Sequence, residues 1–361
     1  MFENISFTKS DFIYVAVIAA SFLVACLLTP LMRKLATKYG IVDSPDGKRK
    51  FQKEPVPYMG GLAILAAFIA GSSVLWFASD GVSRTYIVIF VGVILTAALG
   101  LIDDIIDMKP PVKFAGQVLI ALGTVIAGGA MEYIEIFGHY VKFGIFSYPI
   151  SVLWIVLVVN AVNMLDGLDG LACGTCALSL MTLFVSALVM NDGVSALICA
   201  ALCGAALGFL PYNLTPASIF MGDSGAMALG YVMASVSLFG FFKGPAFFSI
   251  IVPALALALP VADAVELFFA RLLKGRNPFS SDRLHIHHKL VDMGLSPRAA
   301  VLVLYVITSA FSISAIVYIK YKLVAVIIAG AALAILIALR FIPIQADRKT
   351  VQAEAAGEDK K

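Results

Sequence analysis

Residues 98–114 read ALGLIDDIIDMKPPVKF. Up to Asp103 the chain is nearly pure hydrocarbon, and past Pro111 it becomes apolar again. Between them stand three acids, Asp103, Asp104 and Asp107, and a Pro-Pro pair. The stretch therefore reads as two apolar helices meeting at a surface, with like charges gathered where they meet.

The rest of the chain has the same character. Of 361 residues, 61% are hydrophobic and only 14% charged, with a mean hydropathy of +0.96. Water-soluble proteins carry roughly a quarter charged residues, and a run of about 20 apolar residues crosses a bilayer as a helix. The composition predicts an all-α polytopic membrane protein and excludes a soluble domain; no nucleic-acid partner is expected. Eleven spans are expected, over about 11–32, 59–78, 85–102, 113–131, 149–165, 170–190, 194–210, 225–242, 246–272, 299–319 and 323–343. The first is too long for a signal-peptide core and reads as a retained span.

Lys and Arg accumulate in cytoplasmic loops. With the N-terminus outside, 20 of the 26 fall on the inner side and 6 on the outer. That predicts an outside N-terminus and a cytoplasmic C-terminus. Residues 132–148 partly alternate polar and apolar positions, as a small external hairpin would. Residues 1–343 form a single integral membrane domain, and 344–361 a polar, disordered cytoplasmic tail. The five cysteines, Cys26, Cys173, Cys176, Cys199 and Cys203, sit in apolar segments and read as helix packing. No internal repeat is evident, which argues against an inverted-repeat transporter.

In this topology every polar cluster faces the cytoplasm. On a regular helix Asp103 and Asp107 share a face, and two carboxylates about 4 Å apart repel by roughly 4 kcal/mol at an effective dielectric of 20. A divalent ion with oxygen ligands would relieve them; a solvated helix end is the plainer alternative. In NAVNMLDGLDGLA, 160–172, Asn160, Asn163, Asp166 and Asp169 recur every third residue with no basic partner. In NLTPASIFMGDSGAMALG, 213–230, Asp223 precedes a span. A helix start there suits an anion, and Asp223 or Ser224 could equally be its N-cap. SSDRLHIHHKL, 280–290, holds three of the four histidines beside Arg283 and Lys289; cations and neutral donors without cysteine favour phosphate over zinc. Lys48, Arg49, Lys50 and Lys53 form a basic run suited to anionic headgroups, with a lipid phosphate as the sharper reading for Lys48 and Arg49. Carboxylates for a metal together with cations for phosphates point to phosphoryl transfer. A P-loop is excluded, because no G-x-x-x-x-G-K-[ST] occurs.

GLIDDIID, NAVNMLDGLDGLA, PASIFMGDSGAMALG and PFSSDRLHIHHKL occur in order over residues 40–300. Together they resemble the polyprenyl-phosphate N-acetylhexosamine-1-phosphate transferase superfamily. The DR-x-H-I-H-H loop resembles that of the bacterial undecaprenyl-phosphate GlcNAc-1-phosphate transferases, and differs from that of the translocase handling UDP-MurNAc-pentapeptide. The resemblance implies transfer of N-acetylhexosamine 1-phosphate from UDP-N-acetylhexosamine to undecaprenyl phosphate, releasing UMP. It also implies Mg²⁺ (or Mn²⁺), a bacterial inner-membrane location and a cytoplasmic active site, and is compatible with a homodimer.

Carried over by motif, Asp223 and Asn163 would bind the metal, and Asp103 and Asp104 would be the catalytic acids. Asp166, Asp169 and Asn213 would lie by the nucleotide, with Phe220 stacked on uracil. Lys113 would hold a phosphate. Arg283, His285, His287 and His288 would bind the diphosphate or the sugar. One departure is Gln52, where the family often has histidine. A lipid phosphate is mostly dianionic at pH 7, so direct attack on the β-phosphorus is favoured over a covalent aspartyl intermediate. The alternatives are muramoyl-pentapeptide phosphate transfer, or a cation- or proton-coupled transporter relaying through acids such as Asp263 and Glu266.

Overall fold

The structure is a computed structural model that describes residues 9–43, 54–73, 83–136, 139–241, 251–273, 275 and 285–342. Lys48, Arg49, Gln52, Arg283 and the tail from 344 lie outside these. Apolar runs this long satisfy their own backbone polar groups in a bilayer only by coiling, and the described residues are mostly helical. The helices are α1 (Lys9–Tyr39), α2 (Gly60–Ser72), α3 (Arg84–Ile106), α4 (Pro110–Gly128), α5 (Ser147–Leu165), α6 (Leu171–Val189) and α7 (Gly193–Asn213). They continue with α8 (Gly222–Val236), α9 (Ile251–Ala256), α10 (Ala258–Leu273), α11 (Ile286–Asp292), α12 (Pro297–Tyr318) and α13 (Lys322–Phe341).

Among the described residues, nine helices are long and apolar enough to cross a membrane. The other two expected spans take a different form. Helix α2 has 13 residues, and residues 74–82 after it lie outside the described ones. The stretch expected at 246–272 is broken at Leu257 into α9 and α10. Pro260 explains the break, since it has no N–H to donate to Ala256 one turn back.

Burial is graded across the bundle. The most apolar window of Gly222–Phe241, which is α8 with its π-helical extension Ser237–Phe241, is 94% buried and that of α13 only 11%, which puts α8 at the centre and α13 on the rim. Helix α8 packs against α3 and α5, and α7 lies between α1 and α6. The α1–α7 crossing is close because α7 offers no side chain at two points. A Cβ at Gly204 or Gly208 would run into the backbone oxygen of Ile18 or Phe22. Small residues let membrane helices approach in this way. The cysteines are free thiols, all but Cys26 buried.

Among the described residues two short antiparallel ladders occur. Strands β1 (Val42–Asp43) and β2 (Val56–Pro57) pinch together the ends of the α1–α2 loop. The expected hairpin is β3 (Tyr133–Ile136) paired with β4 (His139–Lys142), Tyr133 opposite Lys142. It is narrower than the 132–148 segment, because Gly144–Phe146 forms a 3₁₀ turn leading into α5.

Candidate functional site

Four helix ends meet at one point. Helix α3 ends in Asp103 and Asp104, and Asp107 caps it in the left-handed region at φ 50°. Asp107 is exposed there and has left the helical path, so the expected 103/107 face does not form. Lys109 and Pro110 then start α4 with proline in its first turn, which turns Lys113 back towards α3. Its ammonium pairs with Asp103 Oδ2 at 2.9 Å, with Asp223 Oδ2, and donates to Asn163 Oδ1 at 3.2 Å. Asn163, from the end of α5, donates through Nδ2 to Asp223 Oδ1 at 2.9 Å. Three oxygens from α3, α5 and α8 therefore surround one cation supplied by α4.

Neighbours on a helix point about 100° apart, so Asp103 and Asp104 address different partners. Asp104 Oδ1 accepts from the Asp223 N–H at 2.8 Å, and its Oδ2 from the Ser224 N–H at 3.2 Å. It caps α8 from another helix; Met221 holds the N-cap position, so Asp223 and Ser224 lie inside the first turn. The approach needs a glycine. Gly222 has φ +70°, and a Cβ on it would lie 2.6 Å from Asp104 Oδ2.

The loop from Asp166 to Gly170 borders this centre. Burial, and then the charges of Asp223, Asp104 and Asp169, push the Asp166 carboxyl up to about 8. Asp169 Oδ2 accepts from the Ala217 N–H at 2.9 Å; burial raises its carboxyl, against the opposing pull of that N–H. Asn213 is 1% exposed. It accepts from the Gly170 N–H and donates to the Ile219 carbonyl, each at 3.2 Å. It ties the two loops together from behind. Asn160 lies a turn deeper than Asn163 and is engaged with Gln117 Oε1 at 2.7 Å.

Phe220 is partly exposed, with its ring 6.1 Å from that of Tyr58. Its N–H donates to the Pro57 carbonyl at 2.8 Å. Sequence reasoning missed Tyr58, whose hydroxyl is held well above its ordinary range by burial first, then by Asp43, Asp104 and Asp223. The only signal for it was an aromatic in PVPYMGG, immediately before a span.

The histidine segment abuts the same loop. A Cβ on Gly167 would run into the His287 ring. The His285 and His287 rings lie 5.5 Å apart and nearly parallel, and His288 follows at 4.3 Å from His287. Both ring nitrogens of His287 are buried without a hydrogen-bond partner among the described residues. Burial first, then His288, lowers its pKa to about 3. The acids that suggested a transporter are engaged here: Asp263 with His285 at 2.7 Å and Glu266 with Arg340 at 2.6 Å.

The centre suits a hard divalent cation. Asp103, Asp223 and Asn163 already direct oxygens at one positive charge, and with Asp104 ionised the acids outnumber Lys113. Among the described residues no three His, Cys, Asp or Glu side chains form a metal cage. Magnesium does not need one, because it keeps waters and takes one or two carboxylates plus substrate phosphates.

A family model described as glycosyl transferase family 4 matches residues 86–241, the stretch that supplies all four helix ends. A probable undecaprenyl-phosphate N-acetylglucosaminyl 1-phosphate transferase of Bacillus subtilis is 37% identical over 300 residues, 82% of each chain. A decaprenyl-phosphate N-acetylglucosaminephosphotransferase of Mycolicibacterium smegmatis is 32% identical, over 88% of this chain and 85% of its own. A phospho-N-acetylmuramoyl-pentapeptide-transferase of Staphylococcus haemolyticus is 28% identical, over 76% and 88%.

Proposed function

The chain belongs to the polyprenyl-phosphate N-acetylhexosamine-1-phosphate transferase superfamily, and from that premise we propose its reaction. It transfers N-acetylglucosamine 1-phosphate from the UDP-sugar to undecaprenyl phosphate, releasing UMP. The lipid diphosphate sugar so formed starts a cell-envelope polysaccharide. The protein is a multi-pass protein of the bacterial inner membrane with its site on the cytoplasmic side. We place the N-terminus outside and count α2 and the α9–α10 pair with the nine long helices as eleven crossings. The observation that carries the chemistry is the convergence of Asp103, Asn163 and Asp223 on the Lys113 ammonium.

Asp103, Asp223 and Asn163 would hold Mg²⁺, whose chemistry is to neutralise the diphosphate and the charge that develops on it. Lys113 supplies a point charge for a phosphate oxygen beside that set. Asp104 positions rather than reacts: both its oxygens are engaged by backbone N–H groups of α8, and through them it fixes Asp223. An acid held in that way is a poor nucleophile, which favours a single displacement. A lipid phosphate oxygen attacks the β-phosphorus, forming one P–O bond. The bond from that phosphorus to the bridging oxygen breaks, and UMP departs with the electron pair. The dianionic lipid phosphate needs little help from a base. Phe220 and Tyr58 offer the uracil an aromatic surface, with Asp169 and Asn213 fixing the loops beside it. The histidine segment faces the sugar diphosphate across Gly167.

The experiment is a substrate panel. Purified protein is given undecaprenyl phosphate and, in turn, UDP-GlcNAc, UDP-GalNAc and UDP-MurNAc-pentapeptide, and UMP is measured. Release is expected with UDP-GlcNAc and only when the lipid phosphate is present. Release without lipid, or only with the muramoyl peptide, would overturn the assignment.

A further inference from the structure

Asp263 lies in α10 and is 5% exposed. A buried carboxylate is costly unless it is paired and hydrogen-bonded. Its Oδ2 meets His285 Nδ1 at 2.7 Å, while Oδ1 accepts from the Ile286 N–H at 3.0 Å and from Arg340 Nη2 at 3.5 Å. His285 occupies the N-cap position of α11 and makes no cap of its own. Asp263 supplies that cap from a neighbouring helix, as Asp104 does for α8. Arg340, from the last turn of α13, braces the arrangement. Its Nε donates to Glu266 Oε1 at 2.6 Å, and its backbone carbonyl accepts from the Lys289 ammonium.

We propose that Asp263 is a positioning residue for the donor diphosphate, acting through His285, with Arg340 as its brace. The inference rests on the function proposed above and deepens it. The carboxylate engages Nδ1 and so holds the imidazole at one angle, with Nε2 on the opposite side of the ring. It also sets the angle of α11, and with it the stack of His285 on His287 against Gly167. A partner on the far nitrogen fixes both tautomer and ring orientation; in metal sites such partners are worth 10–100-fold.

The test is a double-mutant cycle. Asp263→Asn, His285→Ala and the double variant are purified and their thermal midpoints compared. UMP release is then followed at varied UDP-GlcNAc and undecaprenyl phosphate. Asn still accepts from the Ile286 N–H, so a near-normal midpoint is expected. Turnover should fall about 10–100-fold, with the KM for undecaprenyl phosphate unchanged. In the His285→Ala background the same substitution should change turnover by less than about twofold. Equal losses in both backgrounds would overturn the proposal, as would full turnover of Asp263→Asn where His285→Ala is impaired. Should Asp263→Asn fail to fold, Asp263→Glu carries the same cycle. Absence of UMP release from the unaltered protein with every UDP-sugar would instead overturn the proposed function.

Discussion

Asp103 and Asp104 are adjacent and chemically identical, yet their removal should do opposite things. Asp104→Ala removes two charge-assisted hydrogen bonds at the start of α8, one of them to Ser224, which is wholly buried. Such bonds are worth about 1.5–3 kcal/mol each, and a lost helix cap typically costs about 1 kcal/mol. Removing a desolvated carboxylate offsets part of this, so the net loss should be about 2–3 kcal/mol. Asp103→Ala also removes an ion pair, at 2.9 Å to Lys113, and a bond from the Met108 N–H at 2.8 Å. But Lys113 keeps Asp223 and Asn163. Asp103 also sits in the last turn of α3, at the negative end of the helix dipole, where losing an acid regains about 0.3–1 kcal/mol. Its net cost should be under about 1 kcal/mol. Thermal unfolding in detergent should therefore put the Asp104→Ala midpoint on the order of 5 °C below that of the unaltered protein, with Asp103→Ala close to it. UMP release per folded molecule should fall at least about 100-fold for Asp103→Ala. A wild-type midpoint for Asp104→Ala, or a lower one for Asp103→Ala, would refute the division of roles.

Gly167→Ala should drive the His287 ring off the Asp166–Gly170 loop, cutting turnover about tenfold or more with little change in the KM for undecaprenyl phosphate; steady-state kinetics read both. Asn163→Ala removes one oxygen from the proposed cation set and should raise the Mg²⁺ concentration for half-maximal UMP release about tenfold, while EDTA abolishes release from the unaltered protein. The folded protein holds His287 at about 3, against about 6.5 in an unfolded chain. Above 6.5 both states are neutral, and below it the unfolded chain binds the extra proton. Stability should therefore fall as pH drops from about 6.5 towards 3, by on the order of 1 kcal/mol per unit. His287→Gln should flatten that slope in a denaturation series across pH.

Periodicity and composition were enough to fix the class of molecule, because a bilayer permits few ways to bury a backbone. The acid, amide and histidine clusters were equally legible, since polar groups stand out against hydrocarbon. Boundaries were less so: α2 is short, and α9 and α10 are separated by the effect of one proline, which an average over an apolar window does not register. What no one-dimensional reading could supply was direction. DD is two letters in a row, but helical geometry sends one carboxylate to Lys113 and the other to the α8 N-terminus. Asn213 belongs to a recognisable motif, yet both ends of its amide are engaged behind the loops. Asp263, one of two acids in an apolar run, meets His285 only when α11 folds back onto α10. The sequence by itself determined which segments are apolar helices and which polar groups interrupt them, because the solvation cost of each residue is local. Tertiary structure decided which partner each of them meets, because those partners come from elsewhere in the chain, up to 120 residues away.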